Sequence, residues 1–303
     1  MNSKTFILKL FRYIVPLLLL SFVAQAQSPI KDGAILAAFS VSDSIKVYFS
    51  QGNLQYQASS KTWRFAEHQW DFVGDSVLGN VYEDGIKSDN ANISPVYNGW
   101  IDLFGWGTSG YNSKNPYMTS TNYSDYGDGY NDIAGTNYDW GVYNAISNGG
   151  NQAGQWRTLT YDEWCYLIST RANASSKKGV ARVNGVNGLI LLPDEWALPE
   201  GIVFTSGVVD VAHVYSEYYA TVNSYTTSDW SKMEANGAVF FPAAGFHEGT
   251  YVGNVGSSGS YWSSSAEDRY GALYLHFNGN YVGTGGGNRY NGRSVRLVQD
   301  VKK

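Results

Sequence analysis

Residues 156–164 read WRTLTYDEW and contain the strongest local structure signal in the chain. Thr160 and Glu163 have the spacing of a capping box, in which each side chain accepts the free backbone N–H of the other residue. The apolar residues that follow recur at helical spacing, and they are Trp164, Leu167 and Ile168. The stretch therefore predicts a helix over residues 161–171 that buries one face, with Cys165 one residue away from that face.

Strands are predicted on both sides of this helix, where short runs rich in β-branched and aromatic residues end at turn residues. In the first half these runs form a succession of hairpins, at residues 45–50, 52–56 and 62–66. In the second half they lie at residues 188–192, 238–241, 272–277 and 294–298. A second helix is predicted over residues 228–235 and ends at Asn236-Gly237. Two helices among about eight strands indicate an α+β fold with antiparallel strands and long ordered loops.

Two long segments have few aliphatic residues. Residues 71–154 are rich in Gly, Asn, Asp and Tyr, and a structureless loop of that length is rare in a compact domain. Its Trp and Tyr rings are therefore expected to hold irregular chain against a core. In residues 254–293, 27 of 40 residues are Asn, Tyr, Ser, Asp, Gly or His, a composition typical of recognition surfaces. A glycine-rich coil without function is the alternative.

Composition narrows the class of protein. The chain has 303 residues, of which 43% are hydrophobic and 16% charged, and its net charge is −5. This hydrophobic share excludes wholesale disorder, and the lack of surplus basic residues argues against a nucleic-acid partner. A single cysteine excludes an internal disulfide and a cysteine-only metal cage.

Residues 1–26 have the pattern of a cleaved signal peptide. Basic residues come first, residues 14–23 are almost wholly apolar, and Ala24-Gln25-Ala26 is a small-x-small cleavage pattern. A membrane anchor is the alternative, but the apolar run is too short to cross ~30 Å of hydrocarbon. No cysteine follows the cleavage pattern, which disfavours a lipoprotein. We therefore expect an exported bacterial protein, located in the periplasm, at the cell surface or outside the cell, with no transmembrane anchor after cleavage.

One polar loop, YSDYGDGYND at residues 123–132, is a candidate cation site. Its side-chain oxygens could converge on Ca²⁺, and they belong to Asp125, Asp128, Asn131 and Asp132. The spacing does not match an EF-hand, and the alternative is a polar turn in which Asp and Asn bind their own backbone. Apart from a structural Ca²⁺ at this loop, the sequence predicts no cofactor.

The chain has no established catalytic motif: no nucleophile elbow, HExxH, phosphate-binding loop or CxxC occurs. Residues 283–287 (GTGGG) lack the strand-turn-helix context of a phosphate loop. The histidines are scattered, at His68, His213, His247 and His276. We therefore expect no enzymatic activity. The alternative is an enzyme of unfamiliar type that uses carboxylates such as Asp162, Glu163 and Asp268.

Four sequence blocks resemble a known family. They are WRTLTYDEW at residues 156–164, FFPAAGF at 240–246, GSYWSSS at 259–265 and GRSVRLVQD at 292–300. Together they resemble the Fibrobacter succinogenes major paralogous domain family, which is related to the formylglycine-generating-enzyme-like branch of the C-type lectin fold. The resemblance covers residues 100–301, and residues 50–75 are also similar to the start of secreted gut-bacterial members.

The resemblance implies a single C-type lectin-like domain over residues 27–303, with an N-terminal β segment at 33–99 and the family core at 100–301. It also implies that the first and last strands pair, which would place residues 45–56 beside residues 294–298. Enzymes of this superfamily use a cysteine pair or a three-histidine iron site, and this chain contains neither. The composition of the C-terminal segment is similar to that of the target proteins of diversity-generating retroelements, which adenine-directed mutagenesis varies.

We therefore expect a secreted or surface-displayed, non-catalytic binding protein, lectin-like or adhesin-like, whose recognition face lies between residues 251 and 291. Strand alternation would place Tyr274 and His276 on the face opposite Leu273, Leu275 and Phe277. The predicted contacts are Glu267, Arg269, Tyr270, Tyr274, His276, Asn280, Tyr281, Asn288, Tyr290 and Asn291. A carbohydrate, a peptide or another cell's surface protein would each suit a flat, tyrosine-rich site.

A structural subunit of a surface fibre or envelope assembly is a further alternative. It requires a long exposed donor strand or a self-complementary sheet edge. Residues 34–41 (AILAAFSV) could form that donor strand, or they could form a core strand of the domain.

Overall fold

The computed structural model describes residues 30–73, 88–89, 93–208 and 223–302. The predicted signal peptide and His213 lie outside the described residues. The strands are β1 (Ile30–Lys31), β2 (Ala34–Ile35), β3 (Phe39–Ser40), β4 (Lys46–Phe49), β5 (Leu54–Gln57), β6 (Thr62–Phe65), β7 (Ser88–Asp89), β8 (Trp100–Ile101), β9 (Lys178–Val183), β10 (Val186–Leu191), β11 (Ser224–Tyr225), β12 (Val239–Pro242), β13 (Phe246–Glu248), β14 (Tyr251–Gly253), β15 (Ser258–Ala266), β16 (Gly271–Asn278), β17 (Tyr281–Asn288) and β18 (Val298–Asp300). The helices are α1 (Trp140–Tyr143), α2 (Tyr161–Cys165) and α3 (Thr227–Ala235).

The described residues form a mixed α+β structure with mostly antiparallel strands and few helices, as the sequence predicts. The strands form small sheets, in the orders β1-β2, β3-β4-β18, β6-β5-β8, β7-β14-β13, β11-β9-β10-β12 and β15-β16-β17. The pairing of β9 with β11 is parallel. In the part of the chain described here, no helix combines the length and apolar character that crossing a membrane requires.

The two ends of the described chain pair, as the resemblance implies. Strand β18 is antiparallel to β4, with Val298 opposite Phe49. The prediction of a strand over residues 294–298 is wrong in its bounds, because the regular strand starts at Val298. The predicted β4–β5 hairpin is also wrong, since Ser50 and Leu54 donate backbone hydrogen bonds to carbonyls of the C-terminal segment. That segment therefore occupies the place where β5 would have paired with β4.

Both predicted helices form, and both begin at a capping box, of which only that of α2 was predicted. Thr160 and Glu163 cap α2 reciprocally, and Thr226 and Asp229 cap α3 in the same way. After Cys165 the helix continues as a π-helical turn over Tyr166–Thr170, so it ends one residue before the predicted end at Arg171. The residues of its predicted apolar face are 0–2% exposed, namely Trp164, Leu167 and Ile168.

Aromatic rings fill the cores. One core consists largely of tryptophan and other aromatic side chains, including Trp63, Phe104, Trp106, Trp140, Trp156 and Trp262. Trp106 and Trp140 come from the polar segment 71–154, and both are fully buried. The indole N–H of Trp106 donates to the Ser263 carbonyl over 2.8 Å. This confirms, for the described part of that segment, that large rings hold irregular chain against a core.

Residues 34–41 lie partly in the core. Their apolar side chains at Ala34, Ile35, Phe39 and Val41 are at most 2% exposed. The Phe39 ring packs edge-on against Phe49 with 5.0 Å between the ring centroids. The segment does not form one continuous strand of either kind: it forms the two short strands β2 and β3, which pair with β1 and β4, and Leu36 between them is 44% exposed.

Candidate functional site

The sheet β15-β16-β17 and the two turns that connect its strands contain eight of the ten predicted contact residues. In its register, Tyr274 lies opposite Trp262 on β15 and Gly285 on β17. His276 lies opposite Gly283 in the same way. Because alternate residues of a strand share a face, Tyr274, His276 and Tyr281 lie on one side, above the glycines of β17. We call this side the aromatic face.

The opposite face of the sheet is the apolar one. Leu275 and Phe277 are fully buried in a core that also contains Trp164 of α2. The Thr284 hydroxyl lies 3.6 Å from the Cys165 thiol of the same helix. The predicted alternation is therefore confirmed for Leu275 and Phe277, whereas Leu273 is only half-buried.

The ten predicted contacts differ in exposure. Five are exposed, and they are Glu267, Arg269, Tyr270, Tyr281 and Asn288. Four are half-buried, and they are Tyr274, His276, Asn280 and Tyr290. Asn291 is only 8% exposed. Its backbone belongs to the turn that follows β17 and its side chain is buried there, so it is the least accessible of the ten, and its role as a contact stays a prediction.

The exposed tyrosines mark the two ends of the sheet. Tyr270 is 38% exposed and its ring lies 4.4 Å from that of Tyr123. Tyr281 is 46% exposed and its ring lies 6.0 Å from that of His276. At ~3.4 Å per residue, the length of β16 separates these two ends by roughly 24 Å. The predicted contacts therefore line an elongated surface and do not surround a pocket.

Glycines on β17 leave room for the rings of the aromatic face. A side chain at Gly283 would overlap the Tyr281 ring, and a Cβ at Gly285 would lie 3.5 Å from the Tyr274 ring. The rings therefore lie across a strand that presents no side chains of its own on this face at those positions. Substitution at Gly283 would move the Tyr281 ring, whereas a Cβ at Gly285 would be in ordinary van der Waals contact with the Tyr274 ring.

Arg289 fixes the Tyr270 end of the surface. Its guanidinium donates to the carbonyl oxygens of Gly271 and Asp268, over 3.1 and 2.6 Å, and to that of Gly129. The same group lies 4.5 Å from the Trp106 ring centroid. This side chain joins the turn between β15 and β16 to the loop at residues 127–129. The exposed Tyr270, which lies in that turn, therefore has a rigid support.

Arg293 lies at the inner side of the aromatic face. It is 7% exposed, and its guanidinium carbon is 3.7 Å from the Tyr274 ring centroid and 5.0 Å from that of Trp262. Burial lowers its pKa to about 10, so it stays protonated at neutral pH. Burial, and then the Arg293 cation, lower the pKa of His276. His276 is therefore neutral at pH 7.

The predicted cation loop is held by protein contacts. The Ser120 hydroxyl donates to the Asp125 carboxylate over 2.5 Å. Asp132 accepts the backbone N–H of Ala266 over 2.7 Å, and the Asn131 amide lies 3.4 Å from the Asp128 carboxylate. Across the described ranges, no three His, Cys, Asp or Glu side chains form a group that could hold a metal ion. These contacts fit the polar turn, and the Ca²⁺ site stays a prediction.

A separate groove of about 710 Å³ lies beside the paired chain ends. Polar side chains line it, including Asp32, Gln152, Gln155, Arg157 and Asp300. Within it, Arg157 donates two hydrogen bonds of 2.7 Å to Glu163 and two more to Asp300. These contacts neutralise the Arg157 cation internally. None of the ten predicted contact residues lines this groove.

No protein-family model, curated protein or solved structure matches the chain. The resemblance drawn from the four sequence blocks therefore stays a prediction.

Sequence reasoning missed the arginines of the site. Arg289 and Arg293 lie at the end of the segment that was recognised only by its Gly, Asn and Tyr content. Both side chains are at most 7% exposed. The available signal was the position of Arg293 two residues before the apolar Val295 and four before Leu297, since charged residues close to such a run are buried only when other groups satisfy them.

Proposed function

We propose that this protein is an exported, non-catalytic binding protein that recognises its ligand through the elongated surface between Tyr270 and Tyr281. The observation that carries the proposal is the exposure of these two tyrosines at opposite ends of one sheet whose other face is fully buried at Leu275 and Phe277. Aromatic side chains supply large contact area at low entropic cost when their support is rigid. The compatible ligands are a carbohydrate, a peptide or a surface protein of another cell.

The nearest approach to catalytic chemistry on this sheet is a Ser–His contact. The Ser260 hydroxyl lies 3.1 Å from His276 Nδ1, which is the distance that a nucleophile and its base require. Ser260 is, however, only 3% exposed. Among the described residues, no carboxylate is hydrogen-bonded to His276 to orient it. A buried hydroxyl beside a histidine that has no carboxylate partner supports binding over catalysis.

A C-type lectin-like fold of the family named above is part of the proposal. Its support is the pairing of β4 with β18, the capped helix α2 and the four sequence blocks. We further propose that residues 254–293 are a diversified segment. Alignment of paralogous genes would test this, because adenine-directed mutagenesis predicts substitutions clustered at adenines of the exposed positions. Substitutions spread evenly over all bases would contradict it.

Paired tyrosine variants test the binding surface. Tyr270→Ala and Tyr281→Ala, combined, are expected to weaken binding at least tenfold to whichever ligand is found on glycan arrays, peptide arrays or whole cells. The matched control is Tyr143→Ala, which removes a tyrosine that is 41% exposed on α1. Equal binding by the double variant and the control, with unchanged melting temperatures, would overturn the proposal.

Assembly through a sheet edge is the second candidate function, and one observation favours it. Strand β17 is at the edge of its sheet, and no other described strand pairs with its outer side. It is eight residues long and contains no Lys or Pro, residues that natural edge strands use against self-association. Light scattering across a hundredfold concentration range tests this, since edge pairing predicts growing oligomers and a binding protein of the kind proposed above predicts a constant mass.

A further inference from the structure

The Tyr270 end of the elongated surface continues onto the loop at residues 123–132. The Tyr123 ring packs edge-on against that of Tyr270, with 4.4 Å between the ring centroids. Tyr130, in the same loop, is 69% exposed, which is the highest value for a tyrosine in the described ranges. Both residues lie outside the segment 254–293 that composition singled out. The predicted contacts therefore account for only part of the exposed tyrosines at this end.

The loop and the turn between β15 and β16 share one support. Arg289 donates to the Gly129 carbonyl in the loop and to the Gly271 carbonyl at the start of β16. The Asp132 carboxylate accepts the backbone N–H of Ala266, the last residue of β15, over 2.7 Å. Aromatic side chains bind with a smaller entropic cost when their support is already ordered. The exposed tyrosines of the loop and of the turn are therefore held as parts of one surface.

This combined surface is broad and has no described cavity. The described grooves of the chain, of about 710, 350 and 220 Å³, are lined by other residues. Small molecules bind mostly in concave sites, whereas a protein partner covers a broad area of about 800 Å². The sheet alone gives the surface a length of roughly 24 Å, and the loop extends it beyond Tyr270. A surface of this shape fits another protein better than a small ligand.

The two ends of the surface differ in charge. Residues 271–288, which include the Tyr281 end, contain no Asp, Glu, Lys or Arg. The loop and the turn at the Tyr270 end contain five carboxylates, at Asp125, Asp128, Asp132, Glu267 and Asp268. Of the three cations there, Lys114 and Arg289 donate to backbone carbonyls of the loop, and Arg269 packs over the Tyr270 ring at 4.3 Å. The carboxylates outnumber these cations, so this end is complementary to a basic partner.

We propose that the surface binds a protein displayed on another cell, that Tyr123 and Tyr130 contact it together with Tyr270, and that it presents basic residues to this end. This inference rests on the proposed binding function and names its partner class. Tyrosine is among the residues that contribute most to protein interfaces. Because the two loop tyrosines lie outside residues 254–293, chains that differ only in that segment would share these contacts.

The test uses a panel of intact bacterial and epithelial cells as the probe, either untreated, treated with proteinase K or oxidised with periodate. A protein partner predicts that proteinase abolishes binding of the labelled wild-type protein and that periodate, which destroys glycans, leaves it unchanged. Tyr130→Ala is expected to weaken binding about tenfold with an unchanged melting temperature, because the ring it removes is mostly exposed. Tyr143→Ala, on α1, is the matched control and is expected to bind like the wild type.

A second measurement tests the charge of the partner. Asp128→Asn combined with Glu267→Gln removes two exposed carboxylates, and it is expected to slow association and to reduce the dependence of the association rate on salt. Association that becomes faster at high salt in the wild-type protein would overturn the basic partner.

The outcomes separate this inference from the proposed function. Binding that periodate abolishes and proteinase leaves intact would overturn the protein class and leave the binding function standing. Wild-type affinity in Tyr130→Ala, with binding lost in the Tyr270→Ala and Tyr281→Ala double variant, would overturn the extension onto the loop. Failure to bind any cell in a manner that depends on Tyr270 and Tyr281 would overturn both the inference and the proposed function.

Discussion

The guanidinium carbon of Arg293 lies 3.7 Å from the centroid of the Tyr274 ring. The pair joins the C-terminal segment to the middle of β16, and Tyr274 also packs edge-on against Trp262 with 5.7 Å between ring centroids. A half-buried tyrosine of the aromatic face is thus also part of the core contact that holds the face in place. Changes to this ring are expected to affect stability as well as binding.

Truncation of Tyr274 is expected to destabilise the protein. Tyr274→Ala removes the ring that covers Arg293, and we expect the free energy of unfolding to fall by about 2–3 kcal/mol. Tyr274→Phe keeps the ring and loses only the hydroxyl, so its loss should be below about 1 kcal/mol. Urea unfolding of both variants measures the difference. Equal losses would show that the hydroxyl and not the ring stabilises the cation.

Arg157 is expected to be a stabilising link between α2 and β18. It donates to both Glu163 oxygens and to Asp300, and its side chain is 24% exposed. Partial exposure reduces the value of such pairs, so Arg157→Ala should cost about 1–2 kcal/mol. Arg157→Lys keeps the positive charge but lacks the planar guanidinium that bonds both carboxylates, so it should recover only part of the lost stability. Urea unfolding that finds Arg157→Lys as stable as wild type would contradict this, and Arg182→Ala is the control.

Gly292 is expected to tolerate no side chain. A Cβ at this position would overlap the His247 ring, and His247 is only 2% exposed, so it has no free space to enter. Gly292→Ala should therefore lower the unfolding free energy by about 1–3 kcal/mol. In the control, Gly285→Ala, the new Cβ meets the Tyr274 ring at an ordinary 3.5 Å. The melting temperature of the control should be higher than that of Gly292→Ala. The reverse order would disprove the overlap with the His247 ring.

Acidification is expected to weaken the fold through His247. Burial lowers the pKa of His247 to about 4 from an ordinary 6.5. The unfolded chain therefore binds this proton first, and stability that is complete above pH 6.5 is lost as the pH falls toward 4, by on the order of 3 kcal/mol. Asp139 acts in the opposite sense, because burial raises its pKa to about 6 and its protonation below that pH favours the folded state.

His247→Gln isolates the histidine contribution. Between pH 6.5 and 4 this variant should lose less unfolding free energy than the wild-type protein, since it retains the Asp139 effect and lacks the histidine. Urea unfolding at several pH values gives the slope of unfolding free energy against pH for the variant and for the wild-type protein. Parallel slopes would exclude His247 as the titrating group.

Metal chelation is expected to leave the melting temperature unchanged. The carboxylates of Asp125 and Asp132 already accept hydrogen bonds from Ser120 and Ala266. A bound ion would stabilise the folded state in proportion to its occupancy. A melting temperature that rises by several degrees with millimolar Ca²⁺ and falls with chelator would confirm the predicted cation site.

Much of the local structure could be predicted because its causes are local. The capping box of Thr160 and Glu163 lies within four residues, and the helix begins where it indicates. The alternation of buried and less buried residues along β16 is also local, and Leu275 and Phe277 are buried as predicted. The β4–β5 hairpin failed for the complementary reason: the competing partner of that chain is more than 200 residues away, at the C-terminus, and no neighbouring residue signals it.

The candidate site divides in the same way. Amino-acid composition was enough to identify its tyrosine- and glycine-rich segment. The ring contacts of Arg293 could not be predicted in that way, because they come from Trp262 and Tyr274 on two other strands. By itself the sequence determined the two helices and the cap of the first, the strand alternation and the tyrosine-rich character of one segment, because each depends on residues near one another in the chain. Only the tertiary structure decided which tyrosines are exposed, that Asn291 is buried and that Arg293 lacks an acidic partner. Burial and charge compensation depend on every group that surrounds a side chain, and those groups come from distant parts of the chain.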